Sequence, residues 1–378
     1  MPITSIFNAF ESKTPGLTGY TIKIKLPDSG DAKPISIFFF GCQGTESISR
    51  QKQVAKMMNE IAARKGRSPV ALIGLGDNFY HHGVHSAQDL RFAVEFHGVF
   101  ANAALSWIKK IPSFFIVGNH DEDIYKAGHS TLLAKLRDAL GLKRMLRKAE
   151  DQVNHTFSKR NQKSENSPYN YNPAEPEKKP SRKDPLTVEN LPNWNMPGRY
   201  YSSQFEMNGE VNTEIFHIDS NTLVLEALIA LDAVKTPGNY KNPPTAETNQ
   251  YLWLKNALEN STASNKILVE HHPPQTFDQR HFKSDEKDYL IDAEIRMALA
   301  EFGINGNNYN ELLATVLDKA RTRTADDNTQ VKTKLTLVAA AHSHHQAAYD
   351  SMLGPGIIAG GGGGGLKSHL RLDKESLD

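Results

Sequence analysis

Asp77 and Tyr80 lie in the stretch Gly76-Asp77-Asn78-Phe79-Tyr80, directly after the apolar run Val70–Leu75. Hard oxygen donors delivered where an apolar run stops point to a ligand site at a strand end, the edge at which open α/β sheets bind their ligands. Three further stretches repeat the arrangement. Ile111–Val117 leads into Gly118-Asn119-His120-Asp121, Ile267–Val269 into Glu270-His271-His272-Pro273-Pro274, and Leu335–Ala341 into His342-Ser343-His344-His345. A single histidine after a strand is ordinarily structural. An aspartate, a tyrosine, an asparagine and several histidines at four strand ends together point to a metal centre. Such oxygen and imidazole donors suit ions of the Zn, Fe or Mn type. Two ions held roughly 3.5–4 Å apart can clamp a phosphoryl oxygen and lower the pKa of a water. A carboxylate is the natural bridge between them, and Asp77 is the best candidate. His342 and His344 either share one side of an extended segment or splay to two ions. Asn119 offers a neutral amide oxygen. His120 is placed to contact a substrate oxygen or to donate a proton to a leaving group.

The elements that must position these residues alternate along the chain. Thr21–Lys25 reads as a half-exposed strand and Ile35–Phe40 as a more buried one, and the turn signal Asp28-Ser29-Gly30-Asp31 between them predicts a hairpin. An amphipathic helix is expected from Ser47 to Lys65, and a second helical pattern runs from Asp89 to Lys110. Strand–helix–strand units of this size imply parallel pairing with right-handed crossovers. Thr131–Lys148 has the pattern of a basic helix. From Asp151 to Asn190 the chain is rich in Lys, Asn, Ser, Pro and Glu without apolar periodicity, which predicts a long, mobile, solvated insertion. Beyond it, strands are expected at Ser202–Met207, Thr213–Ile218, Lys266–Val269, Leu335–Ala341 and Gly356–Ala359. Helices are expected at Thr248–Leu258, Asp292–Phe302 and Glu311–Lys319, with a polar loop over Phe277–Asp288. The glycines Gly360–Gly365 either let backbone amides approach a phosphate or form a turn.

Composition narrows the function classes. The 378 residues are 39% hydrophobic and 23% charged, as in a globular protein. A net charge of +1 offers no field for nucleic acid or an anionic membrane. Cys42 is the single cysteine, so a disulfide within the chain and a thiolate zinc finger are excluded. No apolar stretch approaches the roughly 18 residues of a membrane span. The first residues lack the pattern of a signal peptide, so a cytoplasmic protein is the default expectation, with signal-independent export as the alternative.

The ordered set GDNFY, GNHD, HHPP and HSHH resembles the calcineurin-like metallophosphoesterase superfamily, and Tyr80 narrows the resemblance to the purple acid phosphatase branch, tartrate-resistant type. Gly83-Val84, Arg91-Phe92, Glu95-Phe96, Trp194–Tyr201, Ile218-Asp219-Ser220, Trp253-Leu254-Lys255 and Ala359-Gly360 support it. The resemblance implies an α/β fold: a four-layer β-sandwich of mixed sheets flanked by helices, with the metal site at strand ends. It implies a domain over residues 35–366 with a polar insertion at 126–191, preceded by an N-terminal segment with an edge strand at 1–34 and followed by a strand or tail at 367–378. It further implies hydrolysis of phosphate monoesters by a metal-activated hydroxide, with two metal ions, Fe plus Zn, Mn or Fe. Asp77 would bridge them, Tyr80 and His344 would hold a ferric-type first ion, and Asn119, His271 and His342 a divalent second ion. His120 would assist the leaving group.

One position departs from the family pattern. Gly41-Cys42-Gln43-Gly44 places Cys42 where the family has a first-ion aspartate. Cys42 is either a soft ligand that changes that ion's identity or a small buried residue that ligates nothing; Gln43 could lend an amide oxygen instead. His81 and His82 are either substrate contacts or exposed loop residues. His85, His97, His129, His217 and His345 read as structural, and His272, adjoining a proposed ligand, as a substrate contact. The expected partner is a phosphorylated small molecule or phosphoprotein, not nucleic acid or membrane. Two alternatives share the sequence evidence: a phosphodiesterase or nucleotide pyrophosphate hydrolase on the same scaffold, and a metal-poor relative that binds a phosphorylated ligand.

Overall fold

A computed structural model describes residues 19–26, 35–44, 48–64, 68–100, 104–105, 111–122, 149–156, 194–275, 293–306, 308–325 and 328–361. Its main body is two facing sheets. Strands β1 (Tyr20–Lys25), β6 (Tyr201–Met207), β7 (Glu210–His217), β8 (Asn265–Val269), β11 (Leu337–Ala340), β12 (Gln346–Ser351) and β13 (Gly354–Ala359) form a mixed sheet of order β1-β6-β7-β8-β11-β13-β12. Strands β2 (Ile35–Phe40), β3 (Ser68–Gly74), β4 (Ser113–Phe115) and β5 (Trp194–Asn195) form a second sheet that is parallel throughout. A short antiparallel ribbon joins β9 (Thr322–Thr324) to β10 (Gln330–Lys332).

The alternation of side chains along the strands builds two cores. On β8, Ile267 and Val269 point into a core shared with Phe205 of their own sheet and with Leu72, Phe114 and Trp194 of the other. Leu268 faces the opposite way, toward Leu223, Leu254 and Leu312. Those three residues belong to helices α3 (Leu223–Lys235), α4 (Gln250–Asn260) and α6 (Tyr309–Ala320), while α5 (Ala293–Ala300) precedes α6. On the far side of the parallel sheet, α1 (Ile48–Ala63) buries Gln51, Ala55, Met58 and Ala62, one stripe at helical spacing. A π-helical turn over Phe92–His97 and helix α2, residues 149–156, complete that layer. The molecule thus has the expected four layers of helices, sheet, sheet and helices. Among the described residues no helix is long and apolar enough to cross a membrane.

Three departures from the expected elements stand out. β1 and β2 do not form a hairpin: β1 pairs in parallel with β6, and β2 pairs in parallel with β3 in the other sheet. The half-exposed alternation of β1, with Ile22 and Ile24 buried and Lys23 and Lys25 outward, suits a sheet edge. The apolar Ile-Ser-Ile-Phe-Phe-Phe of β2 suits a covered parallel sheet. Second, the solvated insertion does not extend through residues 151–156. Helix α2 buries Ala149 and Val153, stacks His155 on Phe92 at 3.5 Å and brings Gln152 Oε1 within 3.2 Å of the Asn78 amide. With only two apolar residues in its buried stripe, this helix carries no periodic signal. Third, Leu223–Lys235 is a helix that the amphipathic pattern does not announce, because it is apolar nearly all round and buried accordingly. The turn over 28–31, the basic helix over 131–148, the polar loop over 277–288 and the tail after 366 lie outside the described residues.

Two buried histidines tie stability to pH. Neither ring nitrogen of His97 has a hydrogen-bond partner among the described residues, and burial pulls its pKa from 6.5 to about 4. His217 stacks on Tyr201 at 4.2 Å and shares a 2.9 Å hydrogen bond with Ser203; burial pulls its pKa to about 3. As pH falls below 6.5 the unfolded chain protonates these rings and the folded one does not, so stability is lost toward acid until the folded values are reached. The expected cost is on the order of 1 kcal/mol per pH unit per histidine. Urea midpoints measured at neutral and mildly acidic pH check this: His97→Leu should flatten the dependence, and an unchanged slope would contradict it.

Candidate metal centre

β2, β3 and β4 run parallel in one sheet and β8 and β11 parallel in the other, and the loops leaving their C-terminal ends meet. Backbone hydrogen bonds hold these loops in place. Gly41 N donates to Ala359 O at 2.8 Å across the two sheets, while Cys42 N to Gly76 O at 2.9 Å and Ala341 N to His271 O at 3.0 Å each join neighbouring strand ends of one sheet. Phe79 anchors the Asp77 loop, packed against Phe92 at 4.8 Å and Trp194 at 5.6 Å. Four of the candidate ligands hold left-handed backbone: Cys42 (φ 55°), Asp77 (54°), His342 (60°) and His344 (29°). Non-glycine residues adopt this region rarely and cluster there at functional sites. Gly118 is required by crowding, since a Cβ there would stand 2.3 Å from Asp77 Oδ1.

Asp77 lies at the centre. Tyr80 donates its hydroxyl to Asp77 Oδ2 at 2.6 Å and shares a 2.8 Å contact with His344 Nε2. Cys42 Sγ lies 3.8 Å from the same carboxylate oxygen. On the other side His271 Nε2 is 3.3 Å from Asp77 Oδ1. Asn119 Oδ1 is 3.0 Å from both His271 Nε2 and His342 Nδ1. His271 is aimed by its Nδ1, 2.8 Å from the Leu75 carbonyl. The ligand atoms of Cys42, Asp77 and His344 lie within 4.8 Å of one another, and so do those of His271, His272 and His342. Burial alone would raise the Asp77 pKa; the neighbouring His271, His120 and His342 outweigh it and hold the carboxyl well below the usual range. Burial, joined by the Asp77 charge, pushes the Cys42 thiol and the Tyr80 phenol well up. Anionic and imidazole lone pairs gathered this closely fit divalent or trivalent cations.

The structure therefore brings Asp77, Tyr80, Asn119, His271, His342, His344 and Cys42 into one cluster. His120 joins them: its backbone N–H donates to Asp77 Oδ1 at 3.0 Å and its ring lies 4.2 Å from that of Tyr80. His81 is exposed, with its ring 6.0 Å from His120, and the ring of His82 follows 6.2 Å beyond. His272 sits deeper than a substrate contact, its ring 4.6 Å from His342 and its Nδ1 2.9 Å from Ser220 Oγ. Gln43 turns to the framework, donating to Asn78 Oδ1 at 2.7 Å. His85 is exposed, His345 is buried, and His129 lies outside the described residues. Gly360 donates to His345 O at 3.0 Å, so the glycine run begins as part of the framework.

Sequence reasoning missed Asp121, although it stands in the same motif as His120. Its buried carboxylate accepts from the backbone N–H groups of Asn78, Phe79 and Gly118 at 3.0, 3.0 and 2.9 Å, fastening the Asp77 loop to the Asn119 loop. Burial and the nearby Asp77 charge raise its pKa to about 6. Asp121→Asn keeps the shape and loses the charge, and we expect it to weaken metal uptake by about 10- to 100-fold. Competition against a chelator measures this; unchanged affinity would remove Asp121 from the account. Arg199 was also missed as a working residue. Its buried guanidinium binds Glu122 at 2.9 Å and also pairs with Asp219, joining the His120 loop to the loop whose Ser220 holds His272.

The chain is similar to several known proteins. A family model described as calcineurin-like phosphoesterase matches residues 47–346. Tartrate-resistant acid phosphatase type 5 of Mus musculus is 48% identical over 74 residues, 20% of this chain and 20% of that protein. The Homo sapiens counterpart is 42% identical over 74 residues, with the same shares. The matched stretch thus spans about a fifth of the curated relatives' length. A solved structure described as "GAP50 the anchor in the inner membrane complex of Plasmodium" has a TM-score of 0.44 and 15% identity, covering 86% of this chain and 71% of that one.

Proposed function

The chain belongs to the calcineurin-like phosphoesterase family, and we propose that within it this protein is a two-ion phosphatase acting on phosphate monoesters. The observation that carries the reading is the position of Asp77, which presents one carboxylate oxygen to each of two donor groups. Oδ2 faces Tyr80 at 2.6 Å and Cys42 at 3.8 Å, and Oδ1 faces His271 at 3.3 Å. In this reading Asp77 bridges the ions, Tyr80 and His344 hold the first, and Asn119, His271 and His342 hold the second. A bound pair of this kind lowers the pKa of water and neutralises charge on phosphoryl oxygens.

The chain's own residues supply the remainder. His120 stands over Tyr80 with its Nδ1 3.2 Å from the His81 carbonyl, which fixes the ring beside the place a leaving group would occupy. Burial pulls the His120 pKa down, partly offset by Asp77, so its protonated, proton-donating form accumulates on the acid side. His81, exposed at the mouth, is suited to meet the phosphate of an incoming small molecule or phosphoprotein. Protein reconstituted with Zn, Fe or Mn should hydrolyse p-nitrophenyl phosphate with kcat/KM roughly tenfold or more above that for bis(p-nitrophenyl) phosphate. Inertness toward both esters with every metal would overturn the reading, and preference for the diester would overturn its substrate class.

A further inference from the structure

We propose that Cys42 Sγ is a ligand of the first ion, and that this thiolate makes the first position a zinc-type site in place of the ferric one the family resemblance implies. The inference rests on the two-ion reading above and specifies its metal. Three observations carry it. Cys42 Sγ, an Asp77 carboxylate oxygen and a His344 nitrogen all lie within 4.8 Å of one another. The Tyr80 hydroxyl closes the same group, 2.6 Å from Asp77 Oδ2 and 2.8 Å from His344 Nε2. Cys42 is itself fully buried at the end of β2, in left-handed backbone secured by its N–H to the Gly76 carbonyl at 2.9 Å. Cys42 borders the apolar core between the sheets, yet its sulfur also meets a carboxylate, a phenol and an imidazole, which a purely core-filling cysteine does not.

The donor set then decides the metal. One sulfur, one nitrogen and two oxygens would offer an ion thiolate, imidazole and oxygen donors together, a mixture that zinc accepts and to which it can add a water by expanding its coordination. Thiolate donors favour zinc, whereas Mn and Mg favour all-oxygen surroundings. A thiolate carries the same single charge as the carboxylate it replaces, so charge balance is kept while softness changes. A Zn–S bond of about 2.3 Å, against roughly 2.0–2.2 Å to a carboxylate oxygen, recovers part of the reach lost with the shorter cysteine side chain.

Cobalt(II) substitution tests this in the full chain, prepared in a buffer free of small thiols. Because the chain has a single cysteine, any sulfur-to-cobalt charge-transfer band in the near ultraviolet belongs to Cys42. The wild type should show the band. Cys42→Ser and Cys42→Asp should lose it, and in zinc-against-manganese competition Cys42→Asp should lower the zinc preference roughly tenfold or more. Cobalt-loaded wild type without the band would make Cys42 a packing residue and overturn the proposal, whether or not either variant folds. Visible tyrosinate-to-ferric absorption in the protein as purified would overturn the zinc assignment. The two readings separate cleanly: the band without hydrolysis supports the site and sinks the phosphatase, and hydrolysis without the band does the reverse.

Discussion

Asp77→Asn is expected to abolish hydrolysis of p-nitrophenyl phosphate, lowering kcat by roughly 10³-fold or more. The change preserves shape but leaves one acceptor oxygen in place of two, so one of the bonds that Asp77 accepts from the Tyr80 hydroxyl and the His120 N–H is lost or reversed, and it removes the one carboxylate that, among the described residues, faces both donor groups. Metal-ion stabilisation of a phosphoryl transition state contributes several kcal/mol, and each 1.36 kcal/mol is about tenfold in rate. In the wild type the neighbouring His271, His120 and His342 hold the Asp77 carboxyl well below its usual pKa against the effect of burial, so the charge that the amide removes is present in the folded protein. Circular dichroism should show the variant folded, because an amide is easier to bury than a carboxylate. Activity within a few-fold of wild type would remove Asp77 from its bridging role.

The second large effect is on stability. Arg199→Leu should cost about 3–5 kcal/mol, since it leaves the buried carboxylates of Glu122 and Asp219 without their cation. The guanidinium is itself buried, and the two carboxylates facing it outweigh the burial and raise its pKa further. Arg199→Lys keeps the charge and loses the planar fork, so it should fall between. Adding Glu122→Gln to Arg199→Leu should recover part of the loss, a coupling that guanidinium-chloride denaturation can read directly. A cost below about 1 kcal/mol for Arg199→Leu, the range of exposed ion pairs, would contradict the network.

Much of the site is legible in the linear sequence because each ligand group directly follows an apolar run. Gly76–Tyr80, Gly118–Asp121, Glu270–Pro274 and His342–His345 announce both the strand and the chemistry at its end, and parallel pairing then brings those ends to one rim. The pairing of β1 is not legible, since an alternating Thr21–Lys25 fits an edge beside β6 as well as a hairpin with β2. Helix α3 is hidden by its uniform apolarity, and helix α2 by polar residues such as Gln152 whose partners lie far along the chain. The same distance hides Asp121 and Arg199, whose roles depend on amides and carboxylates that only folding assembles. Cys42 shows the limit most clearly. Its residue type leaves ligand and filler open, and the nearness of Asp77, Tyr80 and His344, which only folding supplies, is what supports the first.

Anomalous diffraction from crystals of the metal-loaded protein tests the central claim most directly. Two peaks roughly 3.5–4 Å apart are expected, with the Asp77 carboxylate between them. A single peak, or a pair that Asp77 does not touch, would contradict the account.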